Sequence, residues 1–301
     1  MFKSFKELSE IKTTTSKTLV VAAAHDCHTL EAVYTAAEKF RMRYLLVGNR
    51  EKILTMSSDL GVSPDSETII DSGDGMDCAC TAVALIREGR GDALMKGILD
   101  TGTILKAVLD KDAGIRDSGT LSHLAILETP GYHKLIGITD GGMIPNPTLE
   151  QKADITRNAV EFYQCIGYDH PKIAAICASE TVSPRMQDTV DAAELAAMCL
   201  RGELGNCTLE GPLSFDIAIN RESAAIKGIS SQISGETDVL LVPGITVGNV
   251  LSKGLVYCAG ASMAGCIVGA KTPIVLTSRG ATTDEKLWSI MLSILGGRCK
   301  K

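Results

Sequence analysis

Aromatic residues are scarce, at 4% of 301 positions with a single Trp, so any interior this chain builds must rest on Ala, Val, Ile and Leu. No CxxC pair occurs among its ten cysteines, which excludes a zinc ribbon or a thioredoxin-type redox centre. Most of those cysteines sit in apolar runs such as Ala174-Ala175-Ile176-Cys177, a pattern of small buried hydrophobes in a reducing compartment. No apolar run reaches the ~18 residues of a membrane helix. The opening Met1-Phe2-Lys3-Ser4-Phe5-Lys6-Glu7 is polar, with no apolar stretch behind it, so no secretory signal is expected. Together these absences predict a cytoplasmic protein without a membrane partner. Excess positive charge is missing too: 30 Lys and Arg stand against 36 Asp and Glu, a net charge of −6, which argues against a nucleic-acid partner. Neither a Walker loop nor G-x-G-x-x-G is present, which disfavours a P-loop NTPase or an ordinary nicotinamide enzyme.

What remains is an ordinary globular mix, 45% hydrophobic and 22% charged, which excludes a disordered or collagen-like chain. At about 150 residues per domain the length allows two domains. Short apolar runs alternate with amphipathic ones. Strands are expected at Thr18-Leu19-Val20-Val21-Ala22-Ala23, Tyr44-Leu45-Leu46-Val47-Gly48, Thr68-Ile69-Ile70 and Ala93-Leu94-Met95. More follow at 124–127, 135–139, 172–178, 239–242 and 273–277, with helices at 30–40, 79–90, 149–166 and 187–200. A final helix from Asp284 carries Leu287, Ile290, Met291, Ile294 and Leu295 at helical spacing, and Thr282 or Thr283 can cap it. Continuous apolar strands alternating with helices predict an α/β fold with mainly parallel sheets covered on both faces. Gly141-Gly142-Met143-Ile144-Pro145-Asn146-Pro147 can continue neither strand nor helix, and a domain joint is expected there. The expected domains are residues 1–143 with 266–301, and 144–265.

Ligands of open parallel sheets sit where strands end and helices begin. Three such turns carry cations. Lys96-Gly97 leads to Thr101-Gly102-Thr103 and a helix bearing Lys106. Pro243-Gly244-Ile245-Thr246-Val247-Gly248-Asn249 leads to a helix bearing Lys253. Ser278-Arg279-Gly280 leads to the helix headed by Asp284. Each sets backbone N–H groups and a cation where a phosphate-bearing ligand could bind. His25-Asp26-Cys27-His28 lacks a third metal ligand and reads as a capping turn, so no metal is expected. His123, beside Ser122 at a strand start, reads as a structural histidine.

Several segments resemble the phosphate acetyltransferase and phosphate butyryltransferase family. They are Thr272-Pro273-Ile274-Val275-Leu276-Thr277-Ser278-Arg279, Gly211-Pro212-Leu213-Ser214-Phe215-Asp216 and Gly248-Asn249-Val250-Leu251-Ser252-Lys253, with Ile144-Pro145-Asn146-Pro147-Thr148-Leu149-Glu150-Gln151 and Glu180-Thr181-Val182-Ser183-Pro184-Arg185-Met186. The last, with Asp191-Ala192-Ala193 behind it, is more similar to the butyryl branch. The resemblance implies two α/β/α domains around an interdomain cleft, in the manner of isocitrate and isopropylmalate dehydrogenases, and a homodimer or higher homo-oligomer. It implies the reversible reaction of butyryl-CoA with inorganic phosphate to give butyryl phosphate and CoA. The alternatives are acetyl-CoA as substrate, or a non-catalytic acyl-CoA- or acyl-phosphate-binding subunit of a larger complex. CoA is then a substrate, with no tightly bound cofactor. The family's Ser-Arg pair falls on Ser278 and Arg279. Its CoA-binding arginine falls on Lys106, which keeps the charge but loses the planar fork. Its thiol-deprotonating aspartate falls on Asp284 or, one residue on, Glu285, and Asp284 is taken as the candidate base. Lys96, Thr103, Ser122, Gly248 and Asn249 complete the expected substrate- and CoA-binding set. Gly244 stands where relatives often carry Asp.

Overall fold

The computed structural model describes residues 1–11, 16–117, 119–277 and 281–297. In chain order, α1 (Phe5–Ser9), β1 (Thr18–Ala22), α2 (Cys27–Phe40), β2 (Arg43–Gly48), α3 (Arg50–Asp59), β3 (Ile69–Asp71), α4 (Met76–Arg87), β4 (Ala93–Lys96) and α5 (Thr101–Val108) come first. The middle holds β5 (Ser122–Glu128), β6 (Ile136–Thr139), α6 (Leu149–Cys165), β7 (Lys172–Ile176), α7 (Gln187–Leu200), β8 (Thr208–Leu213), α8 (Phe215–Ile219), α9 (Arg221–Ile226), β9 (Val239–Leu241) and α10 (Ile245–Ala259). The chain closes with β10 (Ser262–Val268), β11 (Ile274–Val275) and α11 (Thr283–Leu295). It forms two compact units: a flanking unit of Ser9–Ser118 with Ala264–Lys301, and a central unit of Met1–Leu8 with Gly119–Met263.

In the flanking unit the strand order is β3-β2-β1-β4-β11-β10. The first five strands run parallel and β10 pairs antiparallel with β11. Every residue of β1 is buried, as expected for a central parallel strand covered on both faces. Alternation divides its side chains: Leu19 and Val21 join Leu30 and Val33 of α2 and Leu287, Ile290 and Ile294 of α11 in one core. Val20 faces the other way, where α4 packs on β1. Leu287, Ile290 and Ile294 recur at helical spacing and enter this core, and α11 is buried all round from Ser289 to Ile294 while Thr283 and Asp284 at its start are exposed.

The central unit repeats the plan in the order β5-β6-β9-β7-β8, with β5 antiparallel to an otherwise parallel set. Its core joins Ile136, Ile138, Ala174 and Leu240 from the strands with Ile217 of α8 and Ala224 of α9. A buried ion pair crosses it: Lys134 Nζ donates to Asp238 Oδ1 at 2.5 Å and to the Glu236 carbonyl at 2.8 Å. Asp238 Oδ2 accepts the Lys172 N–H at 2.8 Å, so the carboxylate is satisfied on both oxygens.

The joint expected after residue 143 falls instead between residues 118 and 119. The reason is strand pairing: β5 and β6 bind each other, and β6 binds β9, which commits residues 122–139 to the central unit. The Gly- and Pro-rich stretch after β6 is a tethered turn rather than a hinge. The buried Asp140 carboxylate accepts the N–H groups of Gly142, Met143, Ile144 and His123 at 2.9–3.1 Å. Two strands were not anticipated. β8 contains Gly211-Pro212, which an edge strand tolerates and a central one does not. β10 is rich in small residues, with a weak apolar signature. The reading of the cysteines as buried also needs correction, since Cys27, Cys80 and Cys258 are exposed. They lie on outward faces of α2, α4 and α10, where helical rotation, not the apolar run, decides burial.

Candidate active site

In the flanking unit β1 lies between β2 and β4, so the chain leaves β1 toward one edge and returns to β4 on its other side. This is a topological switch point, and the crevice beyond the strand ends there is where open α/β sheets bind ligands. A cavity of about 470 Å³ occupies it. Its walls are Asp26, His28 and Thr29 at the start of α2, Met95 and Lys96 at the end of β4, the turn Gly97–Asp100, Thr277 beyond β11, and Lys286 in the first turn of α11.

The first turns of three helices thus meet at one opening, and each is capped by its own sequence. Asp26 Oδ2 accepts the Thr29 N–H at 2.9 Å. Asp100 accepts the Thr103 N–H at 2.9 Å and the Thr103 hydroxyl at 2.5 Å. Thr282 Oγ1 accepts the Glu285 N–H at 3.1 Å. The two aspartates are therefore occupied as caps, and the Thr103 bonds hold the Asp100 carboxyl below the usual range. Lys96 and Lys286, with the positive ends of the helices, give the cavity its cationic side.

The turn after β4 is pinned to the end of β1. Gly97 N–H donates to the Ala22 carbonyl at 2.8 Å and Ile98 N–H to the Ala23 carbonyl at 3.0 Å. A Cβ on Gly97 would lie 2.2 Å from the Ala23 oxygen, so only glycine allows this approach. Lys96 Nζ folds over the turn, donating to the Leu99 carbonyl at 2.8 Å and the Gly97 carbonyl at 3.2 Å.

Of the residues expected from sequence, Lys96 lines this cavity and Thr277 brings the chain to it immediately before Ser278. Ser278 and Arg279 themselves lie outside the described residues. Asp284 is exposed in the first turn of α11; Glu285 beside it is half-buried, and burial pushes its carboxyl above the usual range, partly offset by the Thr282 N–H. Thr103 has its hydroxyl on Asp100, and Lys106 is exposed on α5. Three expected residues belong to the central unit. Ser122 is buried at the head of β5 and accepts the Asn158 amide at 3.1 Å. Gly248 packs on the Asp140-Gly141 turn, where a Cβ would lie 2.7 Å from Gly141 Cα. Asn249 is exposed beside it on α10. His123 has a buried Nδ1 without a hydrogen-bond partner, and desolvation keeps its imidazole below the usual histidine range, offset in part by Asp140.

Among the cavity residues the expected binding set held Lys96 alone, and His28, Ile98 and Lys286 are among those it left out. Lys286 carried a usable signal, its place in the first turn of a helix that follows a sheet strand; His28 was read only as part of a capping turn, and Ile98 carried no signal beyond its position after a strand. Among the described residues no group of three or more His, Cys, Asp or Glu side chains is placed to hold a metal ion. No helix among them is long and apolar enough to cross a membrane.

Comparison with known proteins agrees with this architecture. The family model described as "Phosphate acetyl/butaryl transferase" matches residues 75–294. A phosphate butyryltransferase of Clostridium acetobutylicum is 37% identical over 296 residues, 98% of this chain and 98% of that protein. A phosphate acetyltransferase of Thermotoga maritima is also 37% identical, over 288 residues, 96% of this chain and 98% of that protein. The crystal structure of a branched-chain phosphotransacylase from Enterococcus faecalis is similar at a TM-score of 0.81 and 33% identity, covering 93% of this chain and 98% of that one. Equal identity to a butyryl and an acetyl enzyme means that overall likeness does not choose the acyl group. With a matching sequence, a matching fold and a cationic cavity at the switch point, the chain belongs to the phosphate acetyl/butyryl transferase family.

Proposed function

We propose that this chain catalyses the reversible transfer of a short-chain acyl group between CoA and inorganic phosphate, with the four-carbon butyryl group as its preferred cargo. The observation that carries the reading is the switch-point cavity, where Lys96, Lys286 and three capped helix starts converge in a member of this family. A dianionic acyl phosphate suits that charge.

In the direction of acyl-CoA synthesis, the CoA thiolate attacks the carbonyl carbon of the acyl phosphate. A carbon–sulfur bond forms, the carbon–oxygen bond to phosphorus breaks, and phosphate leaves with the electron pair. A thiol with a pKa near 8.5 gains from a nearby carboxylate that takes its proton. Asp284 and Glu285, in the first turn of α11, are the two candidates for that base. Arg279 is assigned to the phosphoryl group, as a bidentate clamp that neutralises the leaving charge, and Ser278 to the developing charge on oxygen or sulfur. Both assignments rest on sequence, supported by their place directly after Thr277, a cavity residue. Holding both substrates together supplies much of the rate, and no acyl-enzyme is required. Three buried cysteines agree with that route: burial pushes the Cys177, Cys207 and Cys266 thiols up to about 12, away from nucleophilic use.

Arg279→Ala tests the assignment. The variant should keep the wild-type circular dichroism spectrum and lose on the order of 10²-fold or more in kcat; near-normal turnover would remove the role. A homodimer or larger homo-oligomer, acting without a tightly bound cofactor, is part of the same proposal, and sedimentation of the purified protein as a monomer would contradict it.

A further inference from the structure

Resting on the acyl-transfer reading, a second property of the cavity concerns which acyl group it takes. Ile98 is 59% exposed, yet it stands in the cavity wall rather than on open surface. Its backbone is fixed by the bond to the Ala23 carbonyl and by the close approach of Gly97 beneath it. The turn presents this side chain at the cavity, where an apolar ligand would remove its exposed surface from water. It is also not isolated. Met95, fully buried, and Leu99, half-buried, line the same cavity.

The cavity therefore has a polar part, Lys96 and Lys286 beside the helix-capping Asp26 and Asp100, and an apolar part, Met95, Ile98 and Leu99. A short-chain acyl phosphate has the same two parts, a dianionic head and a hydrocarbon tail joined at the reacting carbonyl. We propose that Ile98, backed by Leu99 and Met95, contacts the acyl chain and determines the preference for four-carbon over two-carbon groups.

The test is kcat/KM for acetyl-, propionyl-, butyryl- and isobutyryl-CoA at saturating phosphate, in the wild type, Ile98→Val and Ile98→Ala. The butyryl-to-acetyl ratio should fall about ten-fold in Ile98→Ala, the scale of a lost methylene-sized contact. Ile98→Val should give a smaller fall, and propionyl-CoA an intermediate one. An unchanged ratio would overturn the proposal. So would an equal loss for all four substrates, which would place Ile98 against the part of CoA they share. Should Ile98→Ala fail to fold, Ile98→Val, which removes one methyl from an exposed side chain, decides the same ratio. Absence of phosphate-dependent transfer in the unmodified protein would refute the acyl-transfer reading itself, whereas transfer with an unmoved ratio refutes only the role of Ile98.

Discussion

Asp284 and Glu285 are neighbours in sequence but not in environment. Asp284 is exposed, whereas Glu285 is half-buried and its carboxyl is held above the ordinary glutamate range by desolvation. A base works best when its pKa approaches the working pH, which favours Glu285. Thiol attack needs the ionised carboxylate, so the rate should fall as pH drops through the base's pKa, and a raised pKa moves that fall upward in pH. Glu285→Gln should remove the acid limb of the pH–rate profile and lower kcat by about 10², while Asp284→Asn should leave the limb in place. The reverse pattern would assign the proton to Asp284. This is also where sequence reasoning reached its limit. Two adjacent carboxylates one residue apart in a helix start are indistinguishable by spacing, and only burial separates them. Ser278 and Arg279 entered by a different route, as a pair that the family resemblance singles out, and they lie outside the described residues. Ile98 and Lys286 were not legible, because an isoleucine or a lysine after an apolar run is commonplace until the fold shows which cavity it borders.

The elements were more legible than the residues. Apolar runs identified the central strands of both sheets because those strands are buried on both faces, as in β1. Edges failed where chemistry and context disagreed, as with Gly211-Pro212 in β8. The Gly- and Pro-rich segment after β6 misled for a related reason: glycines that suggest a hinge here wrap a buried carboxylate, Asp140. Lys96-Gly97 shows glycine used for close approach instead. Gly97→Ala would force a methyl against the Ala23 and Ala22 carbonyl oxygens, 2.2 and 2.9 Å away, with no side chain able to yield. Destabilisation of about 2–3 kcal/mol is expected from denaturant unfolding, with activity reduced as the Lys96 turn shifts. A loss below about 0.5 kcal/mol, the range of an ordinary surface substitution, would show that the turn is not pinned as described.

At the scale of the whole molecule, two units with the same plan share one chain. Each has four or more parallel strands and one antiparallel partner, and the flanking unit is discontinuous in sequence. Pairing across long sequence distances sets the boundary, as when β11 joins β4, and composition alone does not reveal such pairing. The family motifs span both units: Thr277 belongs to the flanking one, and Pro145, Glu180 and Gly248 to the central one. That distribution is why the function could be read from sequence while the first boundary could not. The central claim is that this chain interconverts acyl-CoA and acyl phosphate. It is tested most directly by incubating the purified protein with butyryl-CoA and inorganic phosphate and measuring free thiol and butyryl phosphate together. The account predicts that both appear in equal amounts, and only when phosphate is present. Thiol release without butyryl phosphate, or no release at all, would contradict it.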